Sequence, residues 1–397
     1  MVCTPRDSQL PVRPDIPETV RADHPGRRTR SRARGTRPTA VLAVLVALVI
    51  LAAGCGSEDA SSASESSATE TQQTETDQET EQEDASTSED GDADDASSSD
   101  GETRTVETLY GPVEVPVSPA RVFALDEYAG AIMLSMGIEP IGAFAPYAAR
   151  IPRAILDDAG VETTEAIFGE WNLELLAAAD PDLIVLVDVQ NEEAVQSFSQ
   201  IAPAVVLPFV APWRDVLAAI GEATGDMDRV ARIQDGMEAR IAEITETVDG
   251  SPVFSIVGTG PVFGTFTIGN DTSTAGILDE IGYARPSPQM EPSVVGASLP
   301  LSPENLVDHD GDILVGLGGD DSFYSIDELQ ALPLFASLQA VQNEQWVQAL
   351  GEIWVNSDPF SMFWVIEDVA RISAGEQPGT VDDRQDRWAA YLALADG

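Results

Sequence analysis

The stretch NLELLAAADPDLIVLVD, residues 172–188, recurs about 130 residues later as SPENLVDHDGDILVGLG, residues 302–318, and this repeat indicates the fold. In the alignment Glu174 meets Glu304, and each copy runs from a short helical segment through an acidic turn into an apolar run. Apolar runs without polar alternation, separated by helices, are typical of a parallel sheet covered on both faces. The repeat therefore predicts two lobes of one α/β design.

The segment between the two copies differs from both. Residues 225–250 are bounded by glycines, and apolar side chains recur every three to four positions, which predicts one long helix. The predicted fold is α/β, with two lobes that each contain a mostly parallel sheet flanked by helices, joined by one long rigid helix. The predicted lobes are residues 103–224 and 251–397. A β-hairpin is expected around Gly111 and Pro112 at the start of the first lobe.

Composition excludes several classes of protein. The formal net charge of the 397 residues is -47, and a surface this acidic repels nucleic acid, so no nucleic-acid partner is expected. Two cysteines and two histidines are too few for a disulfide framework, a four-cysteine zinc site or a histidine-rich metal site. We therefore predict no metal site and no cofactor.

Residues 1–54 have the layout of a secretory signal peptide. A basic stretch precedes an apolar run of about 14 residues, roughly 21 Å as a helix, which is short against the ~30 Å core of a bilayer. The run ends in LAAGC, which resembles the lipobox of bacterial lipoproteins, although Ala52 stands where that family usually has leucine. The resemblance implies that Cys55 is lipidated and anchors the chain to the membrane. The alternative is a plain cleaved signal with an incidental cysteine.

Residues 55–102 are predicted to be a disordered acidic linker. The segment consists almost entirely of small, polar and acidic residues, so it cannot bury enough apolar surface to offset the entropy of ordering. It is either a spacer that holds the folded part away from a membrane or a passive solubilising tail.

Six stretches, in this order, carry a resemblance to a known family: VETLYGPVEVPVSPARVFALD, GIEPIGA, NLELLAAADPDLIVLVD, TIGNDTSTAGILDEIGYARP, SPENLVDHDGDILVGL and LPLFASLQAVQNEQWVQAL. They resemble the substrate-binding proteins of ABC importers for iron-siderophores, haem and cobalamin, over residues 103–371. The resemblance implies a monomer, lipid-anchored on the outer face of the cell membrane. It would capture an iron chelate between its lobes and deliver it to an ABC permease with its ATPase.

The family also gives a reason for the repeated glutamate. Its members present one surface glutamate on each lobe to arginines of the permease, which carries over to Glu174 and Glu304. Two carboxylates on related lobes suit a roughly two-fold symmetric partner. The alternative is that each glutamate only favours the first turn of its helix through the helix dipole.

The ligand cleft is expected beyond the carboxyl ends of the parallel strands. Asp126 and Glu127 follow the first of these strands. Aromatic faces suit a bulky chelate, and an arginine suits its anionic oxygens. The candidate ligand-binding residues are Tyr128, Tyr147, Arg150, Phe168, Trp171, Thr259, Phe263, Phe266 and Trp354.

The residue types narrow the ligand without naming it. Because the folded part has no cysteine and His309 is expected in a solvated turn, iron must arrive already bound by its chelator. A ferric siderophore is therefore predicted, with cobalamin or haem as the alternatives. Few arginines follow the leader, which argues against a highly anionic chelate.

Two other classes of protein are alternatives to this hypothesis. Gly258-x-Gly260 after a strand is similar to a dinucleotide-binding fingerprint, but Pro261 and a β-rich stretch follow where that motif needs a helix. Acidic residues abound, yet nothing singles out a catalytic pair, so no enzyme is predicted. A lipoprotein that senses or scavenges the same ligands without a transporter stays open.

Overall fold

A computed structural model of the chain describes residues 102–187, 192–319 and 323–397. The predicted signal peptide, the lipidation site Cys55 and the linker up to residue 101 lie outside these residues. Within the described part, no helix is both long and apolar enough to cross a membrane.

The first lobe starts with a separate hairpin and continues with alternating strands and helices. Its elements are β1 (Thr103–Thr108), β2 (Gly111–Pro116), β3 (Val122–Ala124), α1 (Glu127–Ser135), β4 (Gly142–Ala145), α2 (Arg150–Ala159), β5 (Thr163–Glu165), α3 (Leu173–Ala178), β6 (Leu183–Val187), α4 (Glu192–Ser199), β7 (Ala204–Leu207) and α5 (Trp213–Thr224). Strands β3 to β7 form one sheet in the order β5-β4-β3-β6-β7. Every neighbouring pair in this sheet is parallel, as the apolar strands predict.

The hairpin turns two residues earlier than expected. Leu109 and Tyr110 form the turn, and Gly111 already pairs with Thr108 as the first residue of β2. Gly111 has a φ of 101°, which explains why glycine is found at this position. The predicted hairpin is therefore present, but Gly111 follows the turn instead of lying at its centre.

Helix α2 was not predicted from the sequence. It buries Ile151, Ile155 and Leu156 and ends at Gly160, whose φ of 79° is typical of a helix stop. Pro152 obscured the pattern, although proline is tolerated in the first turn, where its missing N–H is not needed. This helix matters for the site because its first residue is Arg150.

Helix α6 (Met227–Thr245) lies between the two lobes in the sequence. Its 19 residues correspond to about 28 Å, and Asp226 caps it by accepting a hydrogen bond from the N–H of Arg229. Its buried side chains are the five that the periodicity predicts: Val230, Ile233, Met237, Ile241 and Ile244. They join the main hydrophobic core that runs through both lobes.

The second lobe contains a sheet of the same size. Its elements are β8 (Phe254–Gly260), β9 (Gly264–Ile268), α7 (Ser273–Ile281), β10 (Ser298–Pro300), β11 (Ile313–Gly318), α8 (Ile326–Ala331), α9 (Gln339–Gln342), β12 (Trp346–Leu350), α10 (Gly351–Trp354), α11 (Pro359–Ser373) and α12 (Arg384–Asp396), with short 3₁₀ helices at Ser287–Met290, Pro303–His309, Phe335–Ser337 and Val381–Asp383. The strand order is β10-β9-β8-β11-β12. Strands β8, β11 and β12 are parallel, whereas β9 is antiparallel to both of its neighbours. The predicted fold class is therefore confirmed.

The repeated acidic turn has the same structural role in both lobes. The carboxylate of Asp182 accepts hydrogen bonds from the N–H groups of Ala120 (2.7 Å) and Arg121 (2.9 Å), just before β3. The carboxylate of Asp312 accepts one from the N–H of Val253 (2.8 Å), just before β8. Since β6 pairs with β3 and β11 pairs with β8, each aspartate ties together the starts of two neighbouring parallel strands.

The last helix returns from the second lobe to the first. Arg384 at its start forms a salt bridge with Asp158 of α2 (2.5 Å), and the side chain of Tyr391 reaches Ser135 of α1 (3.5 Å). At its other end Asp396 pairs with Arg229 of α6 (2.9 Å). Helix α12 therefore connects the long helix and the first lobe to the end of the chain.

Candidate ligand-binding site

A cavity of about 420 Å³ lies between the two lobes. Its wall comes from both of them and is mainly apolar, which is typical of a small-molecule site. Seven aromatic side chains contribute to this wall: Tyr128, Tyr147, Phe168, Phe209, Phe263, Phe323 and Tyr324.

Asp126 fixes the first-lobe floor of the cavity. One carboxylate oxygen accepts a hydrogen bond from the N–H of Ala129 (2.8 Å) and caps α1, and the other accepts one from the N–H of Val187 (2.7 Å) at the end of β6. Burial raises the pKa of Asp126 to about 7, although these backbone N–H groups favour the charged form. The residue is 3% exposed, so it supports Tyr128 from behind and does not itself face a ligand.

Glu127 holds the loop that carries Tyr147. Its carboxylate accepts a hydrogen bond from the N–H of Ala149 (2.8 Å) and a long one from the N–H of Tyr147 (3.5 Å). Between them Ala148 has a positive φ of 51°, a conformation that a non-glycine residue adopts only when its surroundings impose it. Burial raises the pKa of Glu127 to about 7, and the charge of Asp126 adds to this rise.

Four of the predicted ligand-binding residues line the cavity: Tyr128, Tyr147, Phe168 and Phe263. The first three form a chain of ring contacts, with centroids 5.8 Å apart for Tyr128 and Tyr147 and 5.3 Å apart for Tyr147 and Phe168. The hydroxyl of Tyr128 donates to the backbone carbonyl of Glu352 (3.0 Å), which links the two lobes beside the cavity.

Trp171 was predicted at the cavity but lies one layer behind it. Its ring packs between Phe168 (6.1 Å) and Phe198 (5.3 Å), and its indole N–H donates to the carbonyl of Leu125 (3.3 Å). Trp171 contacts Phe168, which lines the cavity, so its fluorescence should respond to a ligand bound there.

Thr259 and Phe266 were also predicted to meet the ligand, and the structure contradicts both. They are 4% and 1% exposed and lie on opposite faces of the β8–β9 hairpin, since Phe266 pairs with Gly258 and Thr259 with Thr265. The ring of Phe266 lies over Gly258, where a Cβ atom would come within 2.5 Å of it. Glycine at residue 258 therefore serves this packing, and β8 continues through Gly260 with no helix for a dinucleotide phosphate.

The segment Phe323–Tyr324 lines the cavity and was missed in the sequence. It runs across β8 so closely that the carbonyl of Phe323 occupies the space a side chain on residue 260 would need. The ring of Tyr324 similarly fills the space beside Gly351. The sequence contains both the glycines, Gly260 and Gly351, and the aromatic pair that packs on them. Their contact could not be predicted, because only the tertiary structure brings them together. Phe209 also lines the cavity and was not predicted. It follows the carboxyl end of β7 by two residues, so the expected position of the cleft could have indicated it.

Trp354 was predicted to contact the ligand, but the structure places it outside the wall of the cavity. Its side chain is fully buried, stacks on Phe254 with centroids 6.1 Å apart, and donates its indole N–H to Asp368 (2.9 Å). Asp368 is buried as well and forms a salt bridge with Arg387 (2.7 Å). Trp354 is therefore part of the hydrogen-bonded core of the second lobe.

Arg150 was expected to meet anionic oxygens of the ligand, but its guanidinium group is engaged by the protein. It forms a salt bridge with Glu352 of the other lobe (2.9 Å), and Glu352 faces the cavity while Arg150 does not line it. Arg150 was predicted at the site because it follows the carboxyl end of β4. Its pairing with a carboxylate from a distant part of the chain could not be predicted in this way.

His309 was expected in a solvated turn, and this is also wrong. It is 7% exposed, and its backbone carbonyl accepts a hydrogen bond from the hydroxyl of Ser255. Burial lowers the pKa of His309, so the neutral imidazole is favoured. The turn that carries His309 packs against β8 instead of facing solvent, a contact that the local sequence does not reveal.

Glu174 and Glu304 are both exposed and both lie in the first turn of a short helix, α3 and the 3₁₀ helix Pro303–His309. In the described part of the chain neither forms a salt bridge. Asn172 caps α3, whereas the Ser302 side chain makes no capping hydrogen bond. Both carboxylates are therefore exposed at equivalent positions of the two lobes, and their docking role stays a prediction.

The described residues contain no group of three or more His, Cys, Asp or Glu side chains arranged to hold a metal ion. The wall of the cavity instead offers aromatic rings, backbone groups, Ser298, Asn356 and one carboxylate, Glu352. This arrangement can enclose a ligand of moderate size.

Comparison with known proteins identifies the family. The sequence matches the family described as periplasmic binding protein over residues 145–349. It is 27% identical to the probable siderophore-binding lipoprotein YfiY of Bacillus subtilis (strain 168) over 205 residues, 48% of this chain and 60% of YfiY. It is 25% identical to the iron(3+)-hydroxamate-binding protein YxeB of the same strain over 262 residues, 62% of this chain and 77% of YxeB. The match thus spans less than two thirds of the length of YfiY.

A solved structure supports the same fold. The petrobactin-binding protein YclQ from Bacillus subtilis superimposes with a TM-score of 0.58 at 18% identity, covering 68% of this chain and 99% of that chain. Because the family match covers just over half of the 397 residues and the fold agrees with it, this chain belongs to the periplasmic binding protein family, as its sequence predicts.

Proposed function

We propose that this chain is an extracytoplasmic solute-binding protein that captures a ferric siderophore between its lobes and delivers it to an ABC permease. The observation that carries the proposal is the aromatic cavity of about 420 Å³, to which both lobes contribute. Rings such as those of Tyr147 and Phe263 give a bulky chelate a large contact surface. The names of YfiY and YxeB, one a siderophore-binding lipoprotein and the other a hydroxamate-binding protein, favour the same ligand class.

Attachment and delivery are part of the proposal. The lipobox-like LAAGC favours a lipid anchor at Cys55 on the outer face of the cell membrane, and the relative YfiY is itself named a lipoprotein. Glu174 and Glu304 are the proposed contacts to the permease, since both are exposed on equivalent segments of the two lobes. The chain acts as a monomer and performs no catalysis in this scheme.

Fluorescence titration of the folded part tests ligand binding. Trp171 packs on Phe168, which lines the cavity, so a bound iron chelate is expected to quench its emission saturably. The panel should contain ferric siderophores, haem and cobalamin, each also added without iron or cobalt where possible. We expect the tightest one-to-one binding for a ferric siderophore.

Variants locate the binding event. Tyr147→Ala and Phe263→Ala each remove one ring from the wall and should weaken binding about tenfold or more, because buried aromatic contacts contribute on the order of 1–2 kcal/mol. Tyr110→Ala is the matched control, since it removes a partly exposed ring from the hairpin turn. If only haem or cobalamin binds, or if no ligand of the panel binds, the siderophore proposal fails.

A further inference from the structure

Arg150 and Glu352 form a closed pair across the two lobes. One carboxylate oxygen of Glu352 lies 2.9 Å from a terminal nitrogen of Arg150 and 3.1 Å from its Nε. The other oxygen accepts hydrogen bonds from the N–H groups of Arg150 (2.6 Å) and Ile151 (3.3 Å), at the first turn of α2. Both oxygens are therefore used, and the guanidinium group is directed at Glu352.

This pair carries the charge of the described part of the cavity wall. Glu352 lines the cavity, and among the described lining residues it is the one with a charged side chain. Arg150, which is 41% exposed, is the cation beside it, and Glu352 already neutralises that cation. The described wall thus offers an incoming ligand no uncompensated positive charge.

The rest of the described wall also favours ligands without negative charge. Aromatic faces carry partial negative charge and attract cations, and they do nothing to stabilise an anion. Moving a multiply charged anion from water into an apolar cavity is costly unless protein cations pair with it. A ligand of zero net charge avoids that desolvation, and one with a protonated amine gains from the rings.

Chelates of ferric iron differ in this respect. Each hydroxamate loses one proton on binding, so three of them balance the charge of the metal and leave a neutral complex. Each catecholate loses two protons, so three of them leave a trianionic complex. The net charge of the ligand is therefore set by the chemistry of its iron-binding groups.

We propose that the Arg150–Glu352 pair makes this cavity select ferric chelates of zero or positive net charge, of the hydroxamate type, over anionic catecholate and carboxylate chelates. The inference rests on the proposed function, because it presupposes that the cavity binds a ferric siderophore. Glu352 is the specificity-determining residue in this scheme, since it withholds Arg150 from the ligand.

Three probes test the inference: a neutral ferric trihydroxamate, a ferric trihydroxamate with one protonated amine, and a trianionic ferric tricatecholate. The unmodified chain is expected to bind both hydroxamates at least about 100-fold more tightly than the tricatecholate, in line with the cost of an unpaired charge in an apolar site. Equal or tighter binding of the tricatecholate would overturn the inference and leave the proposed function standing. Absence of binding by all three would instead refute the proposed function.

Substitutions then assign the selectivity to the pair. Glu352→Gln frees the guanidinium group of Arg150 and keeps a hydrogen-bond acceptor for α2, so the affinity ratio should shift about tenfold or more toward the tricatecholate. The double variant Arg150→Gln/Glu352→Gln removes both charges and should abolish that shift. Glu367→Gln is the matched control, because Glu367 pairs with Arg240 (2.8 Å) away from the cavity.

Folding of the variants does not limit the test. Thermal unfolding shows whether Glu352→Gln is folded, and Arg150→Gln serves as a second variant. The latter leaves the Glu352 carboxylate unneutralised, so binding should shift toward the amine-bearing hydroxamate relative to the neutral one. An unchanged ratio in both single variants would contradict the role of the pair.

Discussion

The backbone carbonyl of Phe323 lies against the Cα of Gly260, in the space that a Cβ atom would fill. This contact brings the segment with Phe323 and Tyr324 over β8, where both rings line the cavity. The glycine is therefore required by the path of a neighbouring segment and not by a bound phosphate.

Gly260→Ala is expected to displace the Phe323–Tyr324 segment. Overpacking against backbone cannot be relieved by a rotamer change, so we expect a loss of about 1–3 kcal/mol in the free energy of unfolding and weaker ligand binding. Denaturant unfolding and titration with the preferred chelate measure the two effects. Gly276→Ala is the control, because nothing lies within 4 Å of its Cβ position in helix α7 and alanine favours a helix. Equal behaviour of the two variants would contradict the packing explanation.

Trp354→Ala should affect stability and leave affinity unchanged. Removing this fully buried ring creates a cavity and leaves the carboxylate of Asp368 without one of its donors, for an expected loss of about 3–5 kcal/mol in the free energy of unfolding. Affinity measured on the folded fraction at low temperature should stay within about twofold of the parent value. Weaker binding by a variant shown to be folded would indicate that Trp354 contacts the ligand.

The buried carboxyls of Asp126 and Glu127 give stability a specific pH dependence. The pKa of Glu127 is raised from 4.5 to about 7 in the folded protein, so the folded state binds more protons than the unfolded state between these values. This contribution to stability is present at about pH 4.5 and is lost as the pH rises through about 7. Asp126, with its pKa raised from 3.8 to about 7, acts in the same direction.

Glu127→Gln isolates that contribution. Glutamine cannot ionise, yet its side-chain oxygen can still accept the hydrogen bond from the N–H of Ala149. The difference in the free energy of unfolding between Glu127→Gln and the parent should therefore favour the variant increasingly as the pH rises from 4.5 to 7. Chemical denaturation at several pH values measures the difference, with the exposed Glu193→Gln as the control. A difference independent of pH would show that the pKa of Glu127 is the same in the folded and unfolded states.

Charge reversal separates delivery from binding. Glu174→Arg and Glu304→Arg are expected to reduce ligand uptake by cells at least about tenfold, because each variant opposes a basic site on the permease with a like charge. Ligand affinity in solution should stay unchanged, since both residues are exposed and neither lines the cavity. Glu193→Arg and Glu328→Arg, exposed residues in first turns of α4 and α8, are the matched controls. Normal uptake by the Glu174 and Glu304 variants would favour a protein that binds the ligand without docking to a transporter.

The sequence predicted the fold well because its signals are local. The apolar runs at Leu183–Val187 and Ile313–Gly318 form interior strands of their sheets, and the five spaced apolar residues of α6 are all buried. Helix α2 was not predicted, because Pro152 suggests a break in the helix. In the structure Pro152 lies in the first turn, where a proline does not break a helix.

The site was predicted only where parallel strand ends decide it. Tyr128 and Tyr147 follow β3 and β4 at one edge of a parallel sheet, so their positions could be read from the chain order. In the second lobe β9 runs antiparallel to β8, and both faces of this hairpin are covered, so Thr259 and Phe266 are buried. The engagement of Arg150 by Glu352 joins residues about 200 positions apart, and no local pattern announces such a pair.

In the proposed complex the aromatic wall holds the iron chelate between the lobes. Anomalous diffraction at the iron absorption edge, from crystals of the folded part grown with its preferred ferric chelate, locates the metal directly. We expect a single iron position in the cavity between Tyr147 and Phe263. An iron position outside that cavity, such as one on the acidic surface of either lobe, would contradict it.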